Sequence, residues 1–160
     1  MDPAAPASPS LPAPHETRVR VRYGEVDGMG VVYHPHYLVY FEQGRTEYLR
    51  SLGGSYRAFE DEGHLLMVVE TGVRHHRGAT YDDLLTVRTR LTELRGVRMR
   101  FDYEVLRDGA LLASGFTVLA CADRQGRPCR LPADFRRRIA AAAVPPGKAE
   151  PSPAVQEDAP

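Results

Sequence analysis

Apolar and polar residues alternate in three segments of this chain, and the alternation predicts three strands that each bury one face. These segments are residues 17–23, 85–94 and 97–105. Two further apolar runs, at 65–73 and 110–123, are also predicted to be strands. The second of these runs is apolar on both faces, as expected for a strand inside a sheet. The pattern therefore predicts about five strands.

A long amphipathic helix is predicted between the first strand and the second. Apolar residues recur at helical spacing from Pro35 to Leu52, and a helix of that length measures about 27 Å. Proline favours the first helical position, so His34 is the predicted N-cap. Gly44 falls on the apolar face, where the missing side chain would let the helix approach a sheet closely. Gly53 and the glycine after it end the helix.

The remaining elements complete an α+β pattern. Glycine-containing turns at 95–96 and 108–109 are predicted to join the last three strands as antiparallel hairpins. A short helix or loop is predicted at 55–63, and a short amphipathic helix at 132–143. One strand, one long helix and then a meander of strands is typical of a helix packed on a single antiparallel sheet.

Proline content divides the chain into a core and two tails. Ten of the thirteen prolines lie in 1–16 or 144–160, and we expect both segments to be disordered. Residues 17–143 then form one domain of ordinary size. The N-terminal segment lacks the basic and apolar regions of a secretory signal, and no apolar run approaches the ~18 residues of a membrane span. We therefore expect a cytoplasmic protein.

The formal net charge is zero over the whole chain, but the core has a mild positive excess. The tails hold five of the 21 acidic residues and one of the 21 basic residues. The core therefore has 16 acidic residues and 20 arginines. A charge of about +4 suits a small polyanionic ligand such as a nucleotide phosphate, which arginine binds well. The arginines are too dispersed to predict nucleic-acid binding.

Asp27 lies in a glycine-rich loop directly before the predicted long helix. Gly24, Gly28 and Gly30 allow tight turns and close approach of the backbone to a ligand. The free N–H groups at a helix start carry partial positive charge and stabilise the oxyanion that forms from a carbonyl. A carboxylate beside such a site predicts acyl chemistry.

Several residues of this segment match a known family in order and spacing. They are Tyr23, Asp27, Gly30-Val31-Val32-Tyr33-His34, Tyr37, Phe41-Glu42, Arg45 and Thr46-Glu47-Tyr48-Leu49-Arg50, with further matches at 80–84 and 127–132. Through these residues the chain resembles the 4-hydroxybenzoyl-CoA thioesterase-like hotdog family, especially its Tol-Pal-associated acyl-CoA thioesterase branch. The resemblance covers about residues 17 to 140.

The resemblance implies a hotdog fold, in which an antiparallel sheet of about five strands wraps around one long central helix. It also implies a homodimer or homotetramer, with each active site at a subunit boundary. The implied activity is hydrolysis of an acyl-CoA thioester, or of the thioester of an acyl carrier protein. Neither a metal nor a redox cofactor is implied, because coenzyme A is part of the substrate.

Three residues are the predicted catalytic group. Asp27 activates water as a general base or attacks the thioester carbonyl itself, and the sequence leaves both routes open. The alternative is a loop aspartate that only satisfies its own backbone. For His34, the resemblance implies a backbone N–H that polarises the carbonyl, while its imidazole remains a second possible contributor. Tyr23 either donates a hydrogen bond to Asp27 or belongs to the core.

Four residues are the predicted contacts to substrate. Tyr33 directly precedes His34, and His75, His76 and Arg77 lie where the resemblance implies that pantetheine and phosphates pass. The histidines do not predict a metal site. The side chains of His34 and His36 point in different directions at a helix start. Those of His75 and His76 are adjacent in a strand and therefore point to opposite faces.

Other polar residues are interpreted as structural. Glu42 and Arg45 are spaced for an ion pair on the helix, exposed or between subunits. Asp82 and Asp83 belong to a turn. Cys121 and Cys129 have no C-x-x-C spacing and no set of metal-ligand residues near them in sequence; we expect Cys121 to be a buried apolar residue.

Two other functions remain open. A hotdog hydratase or dehydratase would use an acid/base pair such as Asp27 and His34, and a non-catalytic protein would only bind acyl thioesters. The chain departs from common family members at Gly24, Val26, Met29 and Gly78, which leaves the acyl preference open.

Overall fold

Five antiparallel strands form one sheet in the order β1-β3-β4-β5-β2. The computed structural model describes residues 10–144. The strands are β1 (His15–Arg20), β2 (Leu65–His75), β3 (Leu84–Arg95), β4 (Arg98–Arg107) and β5 (Ala110–Ala122), and the helices are α1 (His36–Ser51), α2 (Tyr56–Asp61) and α3 (Ala133–Ala142). The long helix and the five-stranded sheet confirm the expected α+β hotdog fold.

The predicted hairpins set the register of the central strands. Arg95 pairs with Arg98 at the β3–β4 turn, where Gly96 has φ +60°. At the β4–β5 turn, Asp108 and Gly109 both have positive φ, 49° and 79°. Positive φ at both central residues matches the type I′ turn, whose twist suits a two-residue hairpin.

Helix α1 packs on one face of the sheet through its aromatic residues. The ring of Phe41 stacks on that of Tyr103, with centroids 4.3 Å apart. Gly44 allows the close approach, because an added Cβ would lie 2.5 Å from Thr89 Oγ1 and 2.8 Å from Val87 Cγ1. A buried aromatic or aliphatic side chain stabilises the fold by about 1.5–3 kcal/mol. The absence of a side chain at Gly44 lets α1 lie close to the sheet, which confirms the role predicted for this glycine.

Ordered structure begins before the predicted domain boundary at residue 17. Strand β1 starts at His15, and Pro12 forms a β-bridge with Ala143. Prolines at 12 and 14 suggested a tail, but an edge position tolerates proline because its missing N–H is not needed there. The rest of the predicted tails, 1–9 and 145–160, lies outside the described residues. No helix in the described part of the chain is long and apolar enough to span a membrane.

The predicted N-cap is wrong by one residue. Pro35 caps α1, with φ −65° and ψ −22°, and His34 lies one residue earlier. Tyr33 and His34 accept hydrogen bonds at 2.9 Å and 3.3 Å from His36 N and Tyr37 N. This tight turn precedes the regular helix because the proline ring holds φ at a helical value.

The predicted ion pair between Glu42 and Arg45 is also wrong. Arg45 is buried, with 6% of its surface exposed, and its Nε donates to the Tyr56 hydroxyl at 2.6 Å. Sequence spacing placed both residues one turn apart, but Arg45 points to the sheet while Glu42 is exposed. The ion pair that α1 forms joins Glu47 and Arg50.

Candidate active site

The loop between β1 and α1 is fixed to the segment that follows β2. Val21 N donates to Asp83 O at 2.9 Å, and Asp82 N donates to Val21 O at 3.1 Å. Further along, Val32 N donates to Ala79 O at 2.8 Å. These bonds bring residues 21–35 and 75–83 together beside the start of α1, which is where most of the predicted site residues lie.

Asp27 is half-buried in a tight turn of this loop. Its N–H donates to Val31 O and its C=O accepts from Gly30 N, both at 2.9 Å. One carboxylate oxygen, Oδ1, accepts from Met29 N at 2.8 Å. The second oxygen, Oδ2, accepts no hydrogen bond from any residue in 10–144. One oxygen of the carboxylate therefore accepts a hydrogen bond from the backbone of its own loop, and the other is left for a ligand.

The backbone N–H of His34 is the unused amide at the start of α1. Pro35 has no N–H, and the amides of Tyr33 and His36 donate to Glu25 O and Tyr33 O, each at 2.9 Å. Tyr37 also donates, to His34 O at 3.3 Å. The His34 amide donates to no residue within 10–144. A free N–H at this position suits an oxyanion.

Two rings lie beside the exposed imidazole of His34. Its ring centroid lies 4.8 Å from that of Tyr33 and 6.5 Å from that of His75. The ring centroid of Tyr37 lies 4.9 Å from that of His75. Partial burial, together with the charges of His34 and His76, lowers the pKa of His75. His75 is therefore favoured in its neutral form.

The two other predicted substrate contacts lie on the surface beside this cluster. His76 Nε2 is 3.1 Å from Ser114 Oγ, and the backbone N–H groups of His76 and Arg77 both donate to Leu112 O. The Arg77 side chain is exposed and forms no ion pair with the described residues. Arg77 is thus a cation at the edge of the candidate site.

Tyr23 does not lie where the sequence suggested. Strand β1 ends at Arg20, so Tyr23 begins a 3₁₀ turn, Tyr23–Glu25, instead of a strand. Its side chain is 82% exposed and packs edge to face against Tyr81, with centroids 5.5 Å apart. Core packing is excluded, and no hydrogen bond in the described chain joins Tyr23 to Asp27.

Glu25 is a site residue that the sequence reasoning missed. Its carboxylate is 4% exposed and accepts from the Tyr40 hydroxyl at 2.7 Å and from Arg22 N at 2.9 Å. Burial would raise the pKa of Glu25, but hydrogen bonds from Arg22 and Tyr40 outweigh burial and lower it. No sequence signal pointed to it, because a glutamate in a glycine-rich loop is normally exposed.

Asp82 and Asp83 have the structural role that was predicted. Burial would raise the pKa of Asp83, but hydrogen bonds from Thr80 and Arg107 lower it. Thr80 N donates to the Asp83 carboxylate at 2.8 Å, and Arg107 pairs with it at 2.6 Å. Asp82 has φ 68°, which fits a tight turn.

Cys121 is buried, as predicted. Burial, with the hydrogen bond to Cys129, raises the pKa of the Cys121 thiol to about 12. A thiol with so high a pKa is a poor nucleophile at neutral pH because the thiolate is the reactive form. The burial and raised pKa of Cys121 therefore do not suit a nucleophile for acyl chemistry.

A groove of about 700 Å³ lies away from Asp27, on the sheet face opposite α1. Its lining includes Arg88, Glu104 and Phe116. Arg88 pairs with Glu16 at 2.9 Å and with Glu104 at 3.3 Å, so its charge is already balanced. We assign the chemistry to the loop of Asp27, because the groove has no unpaired carboxylate and no free helix start.

The fold and the loop together define a hotdog protein with a carboxylate beside the start of its central helix. A family model described as Thioesterase-like superfamily matches residues 21–139. The chain belongs to this superfamily.

Individual relatives agree with the family. The chain is 39% identical over 106 residues to acyl-CoA thioesterase YbgC of Haemophilus influenzae, a match that covers 66% of this chain and 78% of that protein. A hypothetical protein from Thermus thermophilus has a solved structure with a TM-score of 0.76 and 40% identity, covering 79% of this chain and 98% of that one. The DHNA-CoA thioesterase from Staphylococcus aureus has a TM-score of 0.78 and 29% identity, covering 81% and 90%.

Proposed function

We propose that this protein hydrolyses the thioester bond of an acyl-CoA and releases the free acid and coenzyme A. The observation that carries the proposal is the arrangement of Asp27, whose Oδ1 is held by Met29 N–H while Oδ2 accepts no hydrogen bond from the described residues. Membership of the thioesterase-like superfamily supports the reaction class.

In the proposed reaction, Asp27 Oδ2 takes a proton from a water molecule that attacks the thioester carbonyl, or Oδ2 attacks the carbonyl itself to form a mixed anhydride, which water then hydrolyses to the free acid and the Asp27 carboxylate. The backbone N–H of His34 donates to the oxygen of that carbonyl as negative charge develops on it. In hydrolases, removing one such donor lowers the rate by about 10²–10³-fold. Coenzyme A leaves as a thiolate, which takes up a proton. No further cofactor is needed for these steps.

Substrate binding is assigned to the surface beside this loop. The exposed guanidinium of Arg77 suits a phosphate of coenzyme A, since arginine binds phosphate through two parallel hydrogen bonds. Tyr33, His75 and His76 line the path from that phosphate to Asp27. An acyl carrier protein, which presents the same pantetheine thioester, is the second substrate class to test.

A homodimer or homotetramer in the cytoplasm is part of the same proposal. Strand β2 is an edge of the sheet, and Met67, Val68 and Val69 on it are 48%, 49% and 52% exposed. Exposed apolar residues on a free strand edge favour pairing with another strand. Joining two sheets at this edge would place each Asp27 loop near a second subunit.

Steady-state hydrolysis tests the proposal. Wild-type protein and Asp27→Asn are compared on acyl-CoA of several chain lengths, aromatic acyl-CoA and acyl carrier protein thioesters, with thiol release as the readout. Asparagine keeps the shape but removes the basic oxygen, so kcat should fall by about 10² or more. Equal activity in Asp27→Asn would refute the assigned role. Hydration of an enoyl-CoA without thiol release would indicate a hydratase, and tight binding without turnover would indicate a non-catalytic binder.

A further inference from the structure

A second cluster of reactive side chains lies at the far end of the sheet from Asp27. His64 directly precedes β2, Cys121 lies near the end of β5, and Cys129 follows in the loop before α3. His75, in the candidate active site, lies at the opposite end of β2, about 35 Å away along the strand. The cluster is therefore separate from the proposed site of thioester chemistry.

The three donor atoms have the spacing of ligands to one small ion. Cys121 Sγ and Cys129 Sγ are 3.5 Å apart, and Cys129 Sγ is 3.7 Å from His64 Nδ1. All three donors lie within 4.8 Å of one another. Tetrahedral zinc with ordinary bond lengths would place two sulfurs about 3.8 Å apart and a sulfur and a nitrogen about 3.6 Å apart. The third pair of donors is Cys121 Sγ and His64 Nδ1, which are at most 4.8 Å apart. Their separation would have to shorten by at most about 1.2 Å to match a zinc site.

The backbone holds each donor in place without an ion. Helix α2 ends in a Schellman motif, in which His64 N donates to Phe59 O at 2.8 Å and Gly63 N to Glu60 O at 3.0 Å. Gly63 has φ +86°, the value that this motif requires of its glycine. Cys129 N donates to Cys121 O at 3.0 Å, which fixes the two cysteines relative to each other.

The loop that carries Cys129 is also fixed. The Asp123 carboxylate accepts from the backbone N–H groups of Gln125 and Arg127, both at 2.9 Å. Arg124 donates to Glu60 O at 3.2 Å and so ties the loop to the end of α2. A loop anchored on both sides presents Cys129 to His64 at little cost in chain entropy.

We propose that His64, Cys121 and Cys129 bind one Zn²⁺ ion, with water in the fourth position. Each thiol releases its proton to solvent as its sulfur binds the ion, and no oxidation state changes. Two thiolates and Zn²⁺ form a neutral unit, which suits a partly buried site. The ion would link the start of β2, the end of β5 and the segment leading to α3.

The sequence shows no set of metal-ligand residues close to the two cysteines along the chain, but the fold brings His64 to them. His64 is distant in sequence, so no local spacing reveals it, and only the pairing of β2 with β5 brings it there. A disulfide is the weaker assignment, because it would require an oxidant and would leave His64 unused.

Metal titration of the full-length protein, stripped with a chelator and kept reduced, tests the site. We expect one Zn²⁺ per chain, and Co²⁺ in its place should give thiolate-to-metal charge-transfer absorption. At zinc about 100-fold above Kd, the midpoint of thermal unfolding should rise by about 5–10 °C. Thioester hydrolysis at temperatures where both forms are folded should be unchanged by zinc.

Ligand variants complete the test. Cys129→Ser and His64→Ala alter half-buried side chains and should each weaken zinc binding by about 100-fold or more. His15→Ala, at the opposite edge of the sheet, is the matched control and should bind zinc like the wild type. Absence of one-to-one binding, a cobalt spectrum without thiolate charge transfer, or wild-type affinity in either ligand variant would overturn the proposal. If one ligand variant fails to fold, the other decides.

Discussion

The hydroxyl of Tyr40 donates a 2.7 Å hydrogen bond to the buried carboxylate of Glu25, two residues before Asp27. The backbone C=O of Glu25 also accepts from Tyr33 N, which precedes the free amide of His34. Glu25 therefore connects the loop of Asp27, the helix α1 and the turn before that helix. We expect Glu25 to position both halves of the proposed site.

Replacing Glu25 by glutamine should destabilise the fold in a pH-dependent way. The pKa of Glu25 is lowered below 4.5 in the folded state, so the unfolded chain holds its proton more tightly. The resulting stabilisation is complete above pH 4.5 and is lost as the pH falls through the lower folded-state value. Glu25→Gln should cost about 1.5–3 kcal/mol near pH 7, the usual value of hydrogen bonds to a charged group.

Urea unfolding at several pH values checks this prediction. The difference between wild type and Glu25→Gln should shrink as the pH falls through the lowered folded-state pKa of Glu25, where the wild-type carboxylate takes up its proton. Glu47→Gln, an exposed carboxylate paired with Arg50 on α1, is the matched control and should change stability by at most about 1 kcal/mol. A pH-independent loss in Glu25→Gln would show that the charge has no part in stabilising the loop.

Close packing of α1 on the sheet gives a second prediction. Gly44→Ala should destabilise the protein by about 1–3 kcal/mol, because the new methyl group overlaps Thr89 and Val87 of β3. Gln43→Ala, on the exposed side of the same helix, tests helix propensity alone and should be neutral or slightly stabilising. Thermal unfolding of Gly44→Ala and Gln43→Ala checks the prediction. Equal stability of the two variants would show that α1 can move away from the sheet at little cost in free energy.

The elements of the fold followed from the sequence because local patterns determine them. Alternation of residues in β3 and β4 and the glycine turns between them gave these strands nearly to their ends. Which face a polar residue occupies was less predictable. The distant hydroxyl of Tyr56 accepts from buried Arg45, while the carboxylate of Glu25 is held both by its neighbour Arg22 and by the distant hydroxyl of Tyr40.

The candidate site was predictable where it is local. Asp27 and His34 lie in the loop between β1 and α1, so their short spacing along the chain was enough to predict that they belong to the same part of the molecule. Tyr23 was misplaced because β1 ends at Arg20, three residues earlier than the alternation suggested. His64 escaped notice because strand pairing, and not sequence, brings it to the cysteines.

The chain termini give a third prediction. A chain of residues 10–144 should retain full stability and hydrolytic activity, because the segments removed are rich in proline and poor in large apolar residues. A chain of residues 17–143 should lose about 1–2 kcal/mol, since it lacks two residues of β1 and the pair between Glu16 and Arg88. Chemical denaturation and an activity assay check both. Equal stability of the two truncated chains would show that His15 and Glu16 are dispensable.

The exposed edge of β2 gives a fourth prediction. Val69 is the extra residue of a β-bulge and has no partner in β5, so Val69→Lys should leave the β2–β5 pairing intact. The lysine should shift the protein towards monomer at micromolar concentration, because a charge on a strand edge opposes pairing. Light scattering measures the shift, and hydrolysis should fall with it. His15→Lys, on the opposite edge strand β1, is the control; a dimer that survives Val69→Lys would have to form through another surface.

The free amide of His34 gives the last prediction. If the backbone N–H holds the oxyanion, His34→Ala keeps that donor and should lower kcat by less than about 10-fold, against about 10² or more for Asp27→Asn. His36→Ala, two residues further on at the start of α1, is the matched control, because the amide of His36 is already used in a bond to Tyr33 O. Turnover on the preferred acyl-CoA should be measured with binding of a non-hydrolysable analogue. A loss in His34→Ala as large as that in Asp27→Asn, with binding retained, would assign the chemistry to the imidazole. In that case the proton transferred to the departing thiolate would come from His34.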